Sequence, residues 1–294
     1  MLLTEKLKQT ELYSNNEQII ATYILEQGIE IKDQSSRQVA STTYTSPATV
    51  VRLCQKLGMS GFDEFKEKYL EELNYLTKSF NNIDVNYPFS KEDTADKIAN
   101  KISTLHLETI QDTMQLLNHD NLQHANRIIE KAKNIYIFSL GSSINVGLLF
   151  KEKMMKIKNQ VIISEKLEHQ IFNAYSINEQ DCAIILSYSG ENKGAISIAE
   201  ILKQRHIPFI SLTSFGDNPI NEMSDCALFI STREIPGQNT GNMVSNVSFS
   251  LILDILYSCY YAKNYQQNLN FTDKVNTHIA VSYTHLRAHE TAAN

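Results

Sequence analysis

The sequence predicts an all-α N-terminal bundle followed by an α/β three-layer sandwich, and three observations carry that reading. Residues 1–76 show apolar residues at helical spacing between capping signals. Residues 77–89 are polar and lose that periodicity. From Asn134 onward, five short apolar runs alternate with helical segments. The length of 294 residues agrees with two domains.

In the first region, Ser14-Asn15-Asn16-Glu17 reads as a capping box, and Ile20, Tyr23, Ile24 and Gln27 follow at helical spacing before Gly28 stops the helix. A short helix fits Ser35–Ser41, with Val39 and Ala40 as its apolar contacts. After a connector at Thr42–Thr45, Ser46-Pro47 sets an N-cap beside a proline at the first helical position, where the missing N–H costs little. The helix that follows aligns Val50, Leu53, Cys54 and Leu57 on one stripe, and Gly58 ends it. Its other face carries Ala48, Thr49, Arg52, Gln55 and Lys56. A long amphipathic helix runs from Phe62 through Phe65, Tyr69 and Leu73 to Leu76.

The stretch 77–119 reads as a linker and a bridging helix marked by Ile98, Ile102, Leu105 and Ile110, and a further helix fits Asp120–Lys133. Strands are expected at Ile135–Phe138, Val161–Ile163, Cys182–Leu186, Phe209–Leu212 and Ala227–Ile230. The segments near 143–156, 165–175, 192–204 and 217–223 supply crossovers, and a helix near 242–265 closes the set. Such alternation implies a five-stranded parallel sheet, doubly wound with helices on both faces, over about 120–275.

Composition narrows the function classes. The net charge is −6 and the isoelectric point near 5.8, so any contact with nucleic acid must be local. No purely apolar run approaches the ~20 residues of a membrane span, and residues 1–10 lack the apolar core of a signal peptide, which points to a cytoplasmic protein with no membrane partner. Cys54, Cys182, Cys226 and Cys259 are widely spaced without metal-ligand spacing, and read as reduced core residues. No cofactor is implied.

Two short helices joined by a tight turn, the second with small polar and basic residues on its free face, suit a major-groove reader. Ser46 would position a phosphate at the capped helix start, and Thr49, Arg52 and Gln55 would reach base edges. Ala48, Lys56 and Arg37 complete the candidate DNA face. Residues 1–76 carry 8 Lys/Arg against 11 Asp/Glu, whereas residues 37–70 carry 5 against 3, so the positive balance is confined to the segment that would read DNA. A salt dependence shallow per protomer and a need for dimerisation follow from so few cations, and a homodimer or tetramer is expected, the apolar helix near 242–265 offering surface for a core or a subunit interface.

The second constellation is a pair of strand-to-helix turns, Ser139-Leu140-Gly141-Ser142-Ser143 and Ser187-Tyr188-Ser189-Gly190-Glu191-Asn192. Both fall at carboxyl ends of strands, where open α/β sheets bind ligands. Backbone amides and serine hydroxyls there form a neutral cradle for a phosphate dianion, and Gly141 and Gly190 permit close approach. Neither a nucleotide P-loop nor Gly-x-Gly-x-x-Gly occurs.

Ser46-Pro47-Ala48-Thr49-Val50-Val51-Arg52-Leu53-Cys54-Gln55-Lys56-Leu57-Gly58, with Gly61-Phe62 and Phe65-Lys66, resembles the signature of RpiR-type (MurR/RpiR) bacterial transcription regulators. Ser187-x-Ser189-Gly190 is similar to the hallmark of the sugar isomerase (SIS) domain, with its flavodoxin-like sheet, that those regulators carry. The resemblance implies a dimeric regulator whose helix-turn-helix binds operator DNA and whose SIS domain senses a phosphosugar effector. It makes Pro47–Leu57 the recognition helix, and places the phosphosugar on Ser143, Ser187, Ser189 and Asn192, with Ser142 and Gly190 beside them. Ser139 stands where the family tends to have Gly, and Asn192 where Thr is usual.

SIS domains also occur in isomerases, so an isomerase-like enzyme with an N-terminal oligomerisation bundle is the alternative. Its acid/base candidates are Glu165, Glu168, His169 and Glu234, with Glu165 and His169 at i, i+4 on one helical face. Glu165, His169 and Glu234 otherwise read as contacts to ligand hydroxyls, and fusion to a helix-turn-helix favours sensing over turnover. His285-x-x-x-His289 lacks a third ligand for a metal. Residues 276–294 are expected to form an irregular or foreign tail, because Val281–Asn294 breaks from the preceding pattern.

Overall fold

The computed structural model describes residues 2–76, 83–235 and 237–292, with side chains described except at 75–76 and 279–292. The chain divides into two compact units, the first reaching residue 82 and the second beginning at 83, with 215–217 assigned to the first.

The first unit contains α1 (Leu3–Lys8), α2 (Asn15–Gln27), α3 (Ser36–Thr42), α4 (Pro47–Lys56) and α5 (Phe62–Leu76), with a 3-10 turn over Gly28–Asp33. The capping box at Ser14 is present, and Gly28 ends α2 with φ +53°. Apolar stripes of α2, α3, α4 and α5 converge on Ile20, Ile24, Val39, Val50, Leu53, Cys54, Phe65 and Tyr69, all buried. At ~25 cal/mol per Å² of apolar surface, each such side chain contributes roughly 1.5–3 kcal/mol. Helix α1 carries no local cap signal. Its start is held from α5, where the Glu72 carboxylate accepts from the Thr4 N–H at 2.7 Å and the Thr4 hydroxyl at 2.6 Å.

The second unit is a three-layer sandwich on a five-stranded parallel sheet in the order β2-β1-β3-β4-β5. The strands are β1 (Asn134–Ser139), β2 (Gln160–Ile163), β3 (Cys182–Leu186), β4 (Phe209–Ser214) and β5 (Cys226–Ile230). On one face lie α7 (His119–Lys131), α8 (Ser143–Met155) and α12 (Met243–Lys263), sharing Ile129, Ile137, Phe150, Ile184, Phe249 and Ile252. On the other lie α9 (Leu167–Ser176), α10 (Lys193–Gln204) and α11 (Pro219–Met223), sharing Phe138, Ala174, Ile185, Ile198, Leu202 and Ile220. Adjacent strand residues such as Ile184 and Ile185 go to opposite layers, as the period of two requires. Burial pushes the thiols of Cys54 and Cys182 up to about 12 and that of Cys226 to about 11, so they remain protonated.

Three segments depart from the sequence reading. Helix α6 (Ala95–Leu116) is part of the second unit's packing, not a bridge between domains: Leu105 packs with Val244, and the Thr113 hydroxyl donates to Ser248 Oγ at 2.9 Å. Residues 276–292 of the expected irregular tail are instead helical, because α13 spans Tyr265–Ala292 without an interrupting Pro or Gly. Helix α12 is long and apolar enough by length and composition to cross a membrane, yet Val244, Phe249, Ile252, Leu253 and Leu256 are buried in the protein core.

Candidate functional site

In the first unit, α3 and α4 form a helix-turn-helix. Ser46 accepts the Thr49 N–H at 3.2 Å, and Pro47 occupies the first helical position. Arg37, Ser46, Ala48, Arg52, Gln55 and Lys56 are exposed. Thr49 departs from its expected role as a base reader. It is buried, and its hydroxyl pairs with Ser46 Oγ at 2.9 Å, because the third helical position turns back onto the cap. Lys56 is exposed but already partnered, its ammonium lying 2.7 Å from Glu17. Burial would raise the Glu17 carboxyl, but hydrogen bonds from Lys56 and Ser14 outweigh it and lower the group to about 2. Arg52 and Gln55 are left as the long side chains projecting from the open face of α4.

In the second unit, β1 and β3 are neighbours in parallel register, so the two serine turns meet at their carboxyl ends, where the strand order reverses. They line a cleft of about 220 Å³ with Leu140, Gly141, Ser142, Ser143, Ser187, Tyr188, Ser189 and Asn192, closed by Asn242, Ser245, Asn246 and Phe249 from the start of α12. No lining side chain among the described residues carries a charge. Ser139 Oγ and Ser143 Oγ lie 2.7 Å apart, and the Ser143 hydroxyl also donates to the Leu140 carbonyl at 3.0 Å. Ser142, at the N-cap of α8, makes no side-chain cap bond to its own helix and instead accepts from Asn242 Nδ2 at 2.9 Å. The α10 start is different, because Asn192 Oδ1 accepts from Gly194 and Ala195 at 2.9 and 3.3 Å. Asn192 therefore has its amide nitrogen, and not its oxygen, to offer a ligand.

Gly190 is required twice over. Its φ is +66°, and a Cβ there would lie 2.0 Å from Asn218 Oδ1. A helix start in a neutral pocket lined with hydroxyls can hold a dianion through amides and hydroxyls without a cation.

Residues 1–75 match the helix-turn-helix domain of the rpiR family, and residues 128–259 match the SIS domain. An uncharacterised HTH-type transcriptional regulator of Caldanaerobacter subterraneus subsp. tengcongensis is 26% identical over 261 residues, covering 89% of this chain and 90% of its own length. This chain joins a helix-turn-helix domain of the rpiR family to a SIS domain. Among solved structures, the NanR protein of Vibrio vulnificus, complexed with ManNAc-6P, aligns with a TM-score of 0.61 at 24% identity, covering 95% of this chain and 98% of that one. The sugar isomerase domain of an RpiR transcription factor from Sphaerobacter thermophilus aligns at 0.55 with 14% identity, over 61% of this chain and 98% of that one. Both likenesses concern the fold.

The second unit does not gather the acid/base candidates in its cleft. Glu165 precedes α9, whose N-cap is Lys166, so it does not share a helical face with His169. Glu165, Glu168 and His169 are exposed and none lines the cleft. Glu234 is 4% exposed, and its two oxygens accept the N–H groups of Val244 and Ser245 at 2.7 and 3.1 Å. Its carboxylate thus caps the first amides of α12, and it does not line the cleft. His285 and His289 lie outside the residues whose side chains are described.

The second unit also holds residues at the cleft that pattern reading missed. Gln170, fully buried, clamps the first turn by accepting the Ser139 N–H at 3.1 Å and donating to the Ser139 carbonyl at 2.7 Å. The Tyr188 hydroxyl donates to the Glu234 carbonyl at 2.7 Å and accepts the Glu234 N–H at 2.8 Å. Asn242 holds φ +53°, and the buried Asn246 Oδ1 has no hydrogen-bond partner among the described residues. The available signal was the turn-rich run Gln238-Asn239-Thr240-Gly241-Asn242 opening a long helix, with Asn246 one turn further on.

Proposed function

We propose that this regulator binds operator DNA through the exposed face of α4 and senses a monosaccharide phosphate in the serine-lined cleft. The observation that carries the reading is the meeting of the two serine turns at the switch point of the sheet, in a cleft whose volume suits a compact polar ligand more than the ~300–1,000 Å³ of drug-sized sites. Ser142, Ser143, Ser187, Ser189 and Gly190 would hold the phosphate, and the Asn192 amide a nearby oxygen. Asn242 and Asn246 would supply further polar contacts from the α12 side of the cleft, and the ManNAc-6P bound by the Vibrio NanR makes an amino-sugar phosphate the first ligand to try. Arg37, Ser46, Ala48, Arg52, Gln55 and Lys56 make up the DNA face, with Lys56 weakened in that role by Glu17.

The proposed activity is binding without turnover in the cytoplasm, as a homodimer or tetramer. Proton transfer between sugar carbons needs a titratable group within hydrogen-bond reach, and the cleft lining supplies serines, asparagines and a tyrosine already bonded to Glu234. Effector control follows by linkage, because a ligand that favours one conformation of the dimer changes DNA affinity by its differential binding energy.

Fluorescence anisotropy with DNA from upstream of the protein's own operon, with and without a panel of phosphosugars, tests the proposal. Specific binding shifted by one sugar phosphate is expected, and no preference over scrambled DNA under any ligand overturns it. Arg52→Ala should weaken operator binding about tenfold or more and leave effector affinity unchanged, whereas Ser189→Ala should do the reverse. Loss of both activities in either variant would mean a folding defect and remove its assignment.

A further inference from the structure

The turn between α3 and α4 carries a residue that the helix-turn-helix reading does not use. Helix α3 ends in a Schellman motif, in which the Tyr44 N–H donates to the Ser41 carbonyl at 3.3 Å and the Thr45 N–H to the Ala40 carbonyl at 2.8 Å. That motif places Tyr44 at the left-handed position, with φ +53°, where glycine is the usual occupant and asparagine the next. Thr43 secures the turn further, its hydroxyl donating to the Val39 carbonyl at 2.7 Å and lying 2.9 Å from Thr45 Oγ1. An L side chain is strained here, and packing does not repay it. The Tyr44 side chain is 98% exposed, whereas the next most exposed large aromatic or aliphatic side chain among the described residues, Phe172, reaches 71%.

We infer that Tyr44 contacts the DNA backbone, its phenolic O–H donating to a phosphate oxygen beside the groove entered by α4. This rests on the assignment of α3 and α4 as the DNA-binding face. In a helix-turn-helix the first helix crosses the backbone and the second enters the groove by its N-terminus, so the turn joining them lies against the phosphate wall. Tyrosine is among the side chains that donate to phosphates. The residue stands two positions before the cap Ser46, on a turn whose hydrogen bonds hold its backbone in place. Residues 1–76 carry a net charge of −3, so a neutral donor adds a phosphate contact where cations are few. A neutral donor also displaces no condensed counterion, which gives Tyr44 a signature distinct from that of lysine or arginine.

The test uses the full-length protein with Tyr44→Phe, Tyr44→Asn and Arg52→Ala, measured by anisotropy on operator and scrambled DNA across a salt series. Tyr44→Phe keeps the ring and removes the hydroxyl, and Tyr44→Asn suits the left-handed turn and removes the ring. Both should lower affinity about fivefold to tenfold on operator and scrambled DNA alike, as a phosphate contact requires, with the slope of log affinity against log salt unchanged. Tyr44→Asn should melt no lower than wild type, which separates lost contact from lost fold. Wild-type affinity in both Tyr44 variants, beside a weakened Arg52→Ala, overturns the inference and leaves the DNA-binding reading intact. A changed sedimentation state, with DNA loss accounted for by it, also overturns the inference and makes Tyr44 a contact between copies of the chain. If wild type itself shows no operator preference, the DNA-binding reading fails and the inference with it.

Discussion

Glu17 in the helical unit and Glu234 in the α/β unit are both buried carboxylates at helix starts, 2% and 4% exposed, yet their charges are met in different ways. Glu17 sits inside the helix it caps, three residues from Ser14, and accepts the Ser14 N–H at 2.9 Å, its hydroxyl at 2.8 Å and the Lys56 ammonium at 2.7 Å. Glu234 precedes α12 by nine positions and spends both oxygens on backbone amides, while the neighbouring Arg233 reaches Glu108 on α6 at 3.0 Å. One carboxylate is answered by a cation and a local box, the other by two amides at the positive end of a 21-residue helix. The first kind of partner is written in neighbouring letters. The second exists only after β5 and α12 have come together.

The most disruptive way to probe the difference is Glu234→Ala. It strands two buried amides at the cleft and should cost about 3 kcal/mol in urea unfolding, at roughly 1–3 kcal/mol per unsatisfied group. Phosphosugar affinity should fall with it, because Asn242 and Ser245 at the same helix start line the cleft. Stability within ~0.5 kcal/mol of wild type together with lost ligand binding would break the comparison. Glu234 would then be the ligand contact that its place in the sequence suggested.

The contrast between local and distant partners also explains what could be read from the letters alone. Five strands, their crossovers, the Ser14 box, the Ser46–Pro47 start and the Gly28 and Gly58 stops rest on neighbours within a turn or two, and each was legible. Helix α1 was not, since its start depends on Glu72 far along the chain. Nor was the membership of α6, which is decided by contacts such as Thr113 with Ser248. In the cleft, both serine turns were legible as strand-to-helix turns, but Asn242, Ser245 and Asn246 arrive from the opposite end of the sheet sequence. Thr49 shows the limit at short range: helical spacing assigned it to a face, and the choice of Ser46 as its hydroxyl partner turned it inward.

The Glu17 side of the comparison can be sharpened with acid. Its carboxyl falls from 4.5 to about 2 on folding, so the stability it contributes is fully present above about pH 4.5 and is lost as pH drops toward 2. A contribution of about 2 kcal/mol is expected, smaller than the full shift because Lys56 is 45% exposed and solvent screens the pair. The difference in unfolding free energy between wild type and Glu17→Gln should therefore hold near that value at pH 7 and close by pH 2. A difference that stays constant with pH would mean that Glu17 acts through shape and not through charge.

The smallest effect comes from the cation. Lys56→Met keeps the aliphatic stem against the domain and removes the ammonium, so it should cost about 0.5–1 kcal/mol, as partly exposed pairs do. It should also move the lower end of the acid loss at Glu17 to higher pH, with the onset near pH 4.5 unchanged, since burial raises that carboxyl and the Lys56 hydrogen bond does most to bring it down. Operator affinity should stay within about twofold of wild type, because a lysine held by Glu17 must give up a buried partner before it can meet a phosphate. An affinity loss like that of Arg52→Ala, with the salt slope reduced by about one, would show that DNA draws Lys56 away from Glu17. The cation that steadies the helical unit in isolation would then be exchanged for a phosphate on binding, and the domain's acid stability should differ between free and DNA-bound protein.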